Sequence, residues 1–242
     1  MEYFTKEFDK YLLDIGSYDE NNEKVPGFYT FFPQMLPWVG NNYGIDCKKL
    51  LLIGESHYLP KDNEDISLLD PKDWYNEIHE YDDESNIYDY TNTRGLLNGF
   101  SEWNSSNMYK NPAKIIQDLL NKYKHNDISK NPLSYIAFYN YFLRPAVFTK
   151  SIKNKLQEQD IRIARDTFIE IVGVLKPDAV CFLSKLAYEN FSTNVKQSFD
   201  FPIGSVPHPA CSWWNKVSYY SNGLKGKEQF EKFLTDNKIF AI

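Results

Sequence analysis

The stretch that decides the fold is residues 48–58, which read KKLLLIGESHY. Leu50 to Ile53 form an unbroken apolar run that is too short for a helix and typical of a strand buried on both faces. Gly54 ends this run and allows the backbone to turn sharply, and the next residues are Glu55, Ser56, His57 and Tyr58. In an open parallel sheet, ligands bind beyond the carboxyl ends of the strands. These residues are therefore either an ordinary loop that leaves a strand or the start of a functional site.

The overall composition is that of a single acidic domain. A chain of 242 residues can bury a core that needs no disulfides or metals, and its net charge of −6 offers no general attraction for nucleic acid. Cys47, Cys181 and Cys211 lie far apart, which fits a reduced, cytoplasmic protein and provides no zinc or iron–sulfur ligand set. No apolar run approaches the length of a membrane span. We therefore expect a cytoplasmic monomer, outside the membrane, with no metal and no cofactor.

One segment departs from the even distribution of charge. Between residues 62 and 89 there are 11 aspartates and glutamates, and Lys72 is the only lysine or arginine among them. We interpret this segment as an acidic insert at about residues 60–92 within a single domain that spans residues 1–242. The insert is either a solvated loop or a lid over the crevice beyond the first strand. In both cases it would repel phosphate.

Strands and helices alternate along the chain. Further strands are predicted at 135–142, 179–183 and 203–206, and helices are predicted near 4–12, from Asn111 to about 120, and at 156–175, 185–191 and 225–234. Residues 27–44 contain two prolines among aromatic residues and are predicted to be irregular. This alternation favours the α/β class, as a three-layer α-β-α domain with a central four-stranded, mostly parallel sheet.

Three of the predicted strands end in chemically reactive or polar residues. The first ends at Glu55, the second at Asn140 with Arg144 shortly after it, and the fourth at His208 between two prolines. Because the carboxyl ends of parallel strands converge on one crevice, we expect these side chains to face each other. An amide can read the edge of a planar ring, and a neutral histidine can donate to an oxygen on which negative charge develops.

In their order and approximate spacing, these strand ends resemble the uracil-DNA glycosylase superfamily. That family combines a strand ending in G-Q-D-P-Y-H or G-E-A-P-G, a strand ending in Asn, an apolar strand after a helix, and a strand ending in H-P-S-P. The corresponding stretches here are LLIGESHY at 51–58, IAFYN at 136–140, KPDAVCFL at 176–183 and SVPHPA at 205–210. The run NYFLRP at 140–145 is similar to the N-x-x-x-x-R-P of the iron–sulfur branch, one residue shorter. The resemblance covers roughly residues 50–214.

The resemblance implies a role for each matching residue. Catalysis would fall to Glu55, which orients water or stabilises the cationic sugar, and to His208, which hydrogen-bonds the base oxygen as the bond breaks. Asn140 would read the pyrimidine edge, and Tyr58 would lie beside its C5 atom. The other substrate-binding positions are Gly54, Ser56, His57 and Arg144, and the candidates for a wedge in the base stack are Ser212, Trp213 and Trp214.

Three positions depart from the motifs of the family. Ser56 and His57 stand where one branch has its water-activating aspartate and a proline, and Cys211 stands where the last motif has its second proline. The four cysteines that hold the cluster of the iron–sulfur branch are absent.

The leading hypothesis from the sequence is a glycosylase-type hydrolase, which the resemblance associates with DNA repair. It would hydrolyse the N-glycosidic bond of a pyrimidine, most simply uracil, in a nucleic acid such as uracil-containing DNA. One alternative is the hydrolysis of a free nucleoside or nucleotide, a small pyrimidine ligand that an acidic rim tolerates better. Another is a non-catalytic module that binds a base or nucleotide. If DNA is the substrate, we expect a basic patch beside the crevice, formed by Arg144, Lys150, Lys153 and Lys216.

Overall fold

The computed structural model describes residues 2–16, 26–60, 70–76, 87–100, 106–125, 128–147, 151–191, 193–217 and 223–241. Four strands of its main sheet run parallel: β2 (Leu50–Gly54), β4 (Ile136–Asn140), β6 (Ala179–Phe182) and β7 (Ile203–Ser205). A fifth strand, β1 (Trp38–Val39), pairs antiparallel with β4 at the edge, so the order is β1-β4-β2-β6-β7. A small parallel sheet joins β3 (Tyr58–Leu59) to β5 (Ala146–Val147).

The helices that surround the sheet differ widely in length. The two longest are α6 (Asn107–Lys122) and α7 (Glu158–Leu175), and the chain ends on α10 (Gly226–Asp236). Shorter helices are α1 (Asp9–Leu12), α2 (Phe28–Phe31), α3 (Pro71–Asn76), α4 (Ile87–Thr91), α5 (Thr93–Asn98), α8 (Lys185–Asn190) and α9 (Thr193–Gln197). Single 3₁₀ turns lie at Pro33–Met35, Pro132–Tyr135, Ile152–Lys155 and Ser212–Trp214. None of the described helices combines the length and the apolar character needed to cross a lipid bilayer.

Two apolar clusters, one on each face of the sheet, hold the domain together. Because side chains alternate along a strand, Leu51 and Ile53 of β2 face a cluster that includes α7 and the N-terminal helices. Leu50 and Leu52 face the opposite cluster, which includes α6 and α10. The whole of β2 is buried, as its unbroken apolar run predicts. The sheet therefore lies between two layers of helices, and the predicted α/β class is confirmed.

The edge strand β1 was not predicted. Trp38 and Val39 pair with Phe138 and Ala137 of β4, although residues 27–44 were expected to be irregular. A strand of two residues is too short to show an alternating pattern, and its pairing depends on a neighbour about 100 positions away in the chain. The sheet consequently has five strands where the sequence predicted four.

Two helix boundaries also differ from the prediction, each for a local reason. The first helix covers only Asp9–Leu12, because Phe4 forms an antiparallel bridge with Gly40 at the sheet edge. Helix α6 begins before Asn111, because the Ser106 side chain accepts a hydrogen bond from the backbone of Met108 and caps the helix there. Most of the acidic insert lies outside the described residues, so its interpretation as a loop or a lid stays open.

The strand order defines where a crevice must open. From β2 the chain proceeds to β4 on one side of it, and then crosses to β6 on the other side. In an open α/β sheet, such a reversal separates the loops that follow the two central strands and leaves a crevice beyond their carboxyl ends. Glu55 directly follows β2, and Ser184 lies two residues after the end of β6.

Candidate active site

The Glu55 carboxylate lies at the carboxyl end of β2, where this crevice is expected, and it is held there by hydrogen bonds. Its Oε2 accepts a hydrogen bond from Ser184 Oγ at 2.7 Å, and its Oε1 accepts from the Tyr58 hydroxyl at 3.2 Å and from Ser151 Oγ at 3.3 Å. An ionised carboxylate offers about four acceptor positions. Three hydroxyl donors therefore hold the side chain in place and leave one acceptor position, on Oε2, for a water molecule or a ligand.

The two serines that hold Glu55 were missed by sequence reasoning. Ser184 follows β6 and caps α8, since its Oγ accepts from the backbone of Ala187 at 3.2 Å while donating to Glu55. Ser151 caps the 3₁₀ turn at 152–155 in the same way, by accepting from the backbone of Lys153. A serine before a helix is a recognisable capping signal. The second bond of each hydroxyl, to Glu55, leaves no trace in the local sequence.

Asn140 lies directly beside the glycine that ends β2. The two residues are paired in the register of β2 and β4, and a Cβ atom added to Gly54 would overlap Asn140 Oδ1 and lie 2.9 Å from the ring of Phe138. Glycine is therefore required here because the amide packs against its Cα atom. Asn140 is only 6 % exposed, and its side chain makes no hydrogen bond within the described part of the chain.

His208 is held in one tautomer within the loop after β7. The backbone N–H of Ala210 donates to His208 Nδ1 at 3.2 Å, so the proton of the neutral ring lies on Nε2. Burial lowers the pKa of His208 below its usual value, and the negative charge of Glu55 opposes this shift only in part. Asn111 of α6 fixes the loop by donating to the carbonyl of Pro209 at 2.7 Å. His208 therefore offers a neutral Nε2–H donor at pH 7.

Ser56 adds a third polar group without a partner. Its hydroxyl is buried and makes no hydrogen bond with any residue that the structure describes. Buried polar groups are almost always paired in native proteins. The Ser56 hydroxyl, the Asn140 amide and the His208 Nε2–H all follow carboxyl ends of parallel strands, and together they indicate a site for a polar ligand.

Three other predicted site residues are engaged elsewhere. Arg144 is buried and its guanidinium pairs with Asp160 of α7, so it cannot contribute to a basic surface patch. His57 is buried with its Nε2 3.1 Å from Thr93 Oγ1 of α5. Trp214 is 2 % exposed and packs against Phe230, with ring centroids 6.0 Å apart.

The other candidates for surface contacts remain accessible. Ser212 is exposed, and the Trp213 side chain is 49 % exposed. Of the lysines expected in a basic patch, Lys153 and Lys216 are exposed, and Lys150 lies outside the described residues. Across the described ranges, no group of three or more histidine, cysteine, aspartate or glutamate side chains is placed to hold a metal ion.

No protein-family model matches this chain, and no curated protein is significantly similar to it. The function is therefore inferred from the crevice itself.

The environment of His57 predicts acid sensitivity. Burial lowers its pKa from 6.5 to about 4, against a smaller opposing effect of a backbone hydrogen bond with Tyr90. Because the unfolded chain then binds a proton that the folded chain excludes, the contribution of His57 to stability is fully present above pH 6.5 and is lost as the pH falls to 4, by about 3 kcal/mol. Urea unfolding of the parent and of His57→Gln at pH 7, 6, 5 and 4 measures this effect. We expect a flatter pH dependence in the variant; parallel curves would contradict the assignment.

Proposed function

We propose that this protein hydrolyses the N-glycosidic bond of a pyrimidine, most simply uracil, in a nucleic acid. The observation that carries the proposal is the unpaired amide of Asn140, held against Gly54 at the end of β4. Such an amide accepts from the N3–H of uracil and donates to its O4. Cytosine presents the reverse pattern at these positions, so the same amide would discriminate against it.

His208 and Glu55 supply complementary chemistry around that base. The C1′–N1 bond breaks with its electron pair moving to the pyrimidine, and His208 Nε2–H donates to the O2 atom on which this charge develops. Glu55 stabilises the positive charge on the sugar and orients a water molecule at its remaining acceptor position. The water oxygen bonds to C1′ and its proton leaves to solvent or to Glu55. The hydrogen bond from His208 to O2 requires a neutral ring, which agrees with the lowered pKa of His208.

Tyr58 lies close enough to this centre to act as a steric wall. Its hydroxyl donates to Glu55 Oε1 at 3.2 Å, which limits the movement of the ring. Uracil and thymine share their hydrogen-bonding edge and differ by the methyl group on C5. Only a rigid wall can exclude that methyl group, since a mobile one would give way.

We therefore expect Tyr58→Ala to process thymine-containing substrate that the parent rejects. Tyr58→Phe is the matched control, because it keeps the ring and removes only the hydrogen bond to Glu55. The measurement is the ratio of uracil to thymine release by the three proteins. If Tyr58→Ala retains the uracil preference of the parent, Tyr58 is not the wall.

The exposed ring of Trp213 favours a nucleic acid over a small substrate. It lies five residues after His208, in the 3₁₀ turn that follows the His208 loop. An exposed aromatic ring at this place can stack on a base next to the one that is flipped into the crevice. Trp214, buried against Phe230, would anchor the turn.

The second candidate is hydrolysis of a free pyrimidine nucleotide or nucleoside. The net charge of −6 favours it, and so does the burial of Arg144, which removes one cation from the rim. A small ligand depends less than DNA does on an extended basic surface.

A panel of substrates separates these functions. We expect release of free uracil from single-stranded or double-stranded DNA that contains uracil, and less from deoxyuridine monophosphate or deoxyuridine. Release from the small substrates alone would favour the second candidate. Binding without release from any of them would favour a non-catalytic module.

A further inference from the structure

Lys185 places an ammonium group at the edge of the crevice. It is the first residue of α8, and its Nζ donates to the carbonyl of Ser205 at 3.2 Å and to Ser205 Oγ at 3.0 Å. Ser205 is the last residue of β7, three positions before His208. Ser184, directly before Lys185, donates to Glu55. The ammonium therefore lies between the segments that position the two proposed catalytic groups.

This ammonium makes no direct ion pair with the residues that the structure describes, since none of their carboxylates lies within ion-pair distance of Lys185 Nζ. Two of its three protons are used on neutral oxygens of Ser205, and the third is available. Partial burial lowers the pKa of Lys185 by disfavouring the charged form, and the negative charge of Glu189, one turn further along α8, opposes this shift only in part. An approaching anion would relieve this cost.

We propose that Lys185 binds a phosphate group of the substrate, next to the nucleotide whose base enters the crevice. The inference rests on the proposed function, and it specifies the substrate as phosphate-bearing, either a nucleic acid or a free nucleotide. The net charge of −6 disfavours the approach of phosphate, so a local cation is needed where the substrate enters. The tether to Ser205 holds the lysine in a defined position before the substrate arrives, which reduces the entropic cost of the contact.

The test compares matched ligands with and without phosphate. Calorimetry measures binding of deoxyuridine and deoxyuridine monophosphate to the parent, to Lys185→Met and to Lys48→Met. Lys48 is the control because its Nζ also donates to a backbone carbonyl, that of Asn237, but it precedes the amino end of β2. A charge-assisted contact should favour the phosphate form by about tenfold or more in the parent and in Lys48→Met. Lys185→Met should lose that preference.

A second comparison distinguishes the two sources of phosphate. A single-stranded oligonucleotide with one uracil is made with ordinary linkages or with uncharged methylphosphonate linkages on both sides of that nucleotide. If the phosphate belongs to a nucleic acid, the uncharged linkages should weaken binding to the parent by about tenfold or more. They should leave the affinity of Lys185→Met for the oligonucleotide unchanged. An effect confined to deoxyuridine monophosphate would assign the contact to a free nucleotide.

The proposal is overturned if Lys185→Met keeps the full phosphate preference of the parent, or if the parent has none with either ligand pair. Failure of the proposed function has a different signature, since base release is measured separately from binding. If the phosphate preference depends on Lys185 but no base is released, the result would support this inference and contradict the proposed glycosidase activity.

Discussion

Replacing Asp160 by alanine should lower the free energy of unfolding by about 3–5 kcal/mol. Asp160 is fully buried and accepts from Arg144 Nε at 2.9 Å and from Arg144 Nη2 at 2.6 Å. It also accepts from the Tyr75 hydroxyl and from the backbone of Gln157 at the start of α7. Its removal leaves a buried guanidinium without its counter-charge, and it releases the loop that leaves β4 after Asn140.

The controls for this prediction come from the same helix. Arg165 and Asp166 form an ion pair with side chains 40 % and 44 % exposed, so Asp166→Ala should cost no more than about 1 kcal/mol. The double variant Arg144→Met/Asp160→Leu should recover much of the stability lost in Asp160→Ala, since it removes both buried charges together. Urea unfolding of these proteins is the measurement. Equal losses of unfolding free energy in Asp160→Ala and Asp166→Ala would show that the Arg144–Asp160 pair does not anchor the loop after β4.

Replacing His208 by alanine should lower the turnover number of base release about 10²–10³-fold with little change in KM. The reason is that its Nε2–H bond strengthens only as negative charge builds on the departing base. The substitution removes only the imidazole ring, because the N–H that fixes the ring tautomer belongs to the backbone of Ala210.

The conservative variant makes this prediction specific. His208→Gln keeps a neutral N–H donor and should retain more activity than His208→Ala. Unfolding curves of both variants should match that of the parent, since the ring is only partly buried. A parent-like turnover number in His208→Ala would remove His208 from the mechanism.

The sheet was predictable because its central strands carry strong local signals. β2, β4 and β6 are short apolar runs that end at turn residues, and each was predicted to within a few residues. Edge strand β1 carries only two residues, and its position depends on β4 alone. The difference reflects how much of each strand is encoded locally and how much depends on tertiary pairing.

Site residues that directly follow a predicted strand could be proposed from the sequence. Site residues whose role depends on a partner far away in the chain could not. Glu55, Asn140 and His208 could be proposed because each follows a predicted strand. Ser151 and Ser184 could not, because their partner Glu55 lies 96 and 129 positions away in the chain. The position of Arg144 near a strand end likewise does not reveal whether its side chain points to the crevice or, as found, to Asp160 in the core.

The most direct test of the pyrimidine glycosidase proposal is the rate of uracil release by the parent and by Glu55→Gln under single-turnover conditions. Glutamine preserves the shape of the side chain and an acceptor for the surrounding hydroxyls, and removes the negative charge. We predict that the parent releases uracil from DNA and that Glu55→Gln does so at a rate lower by a factor of about 10² or more. The unfolding curve of Glu55→Gln should match that of the parent. No release by the parent from any substrate in the panel, or equal rates for the two proteins, would contradict the proposal.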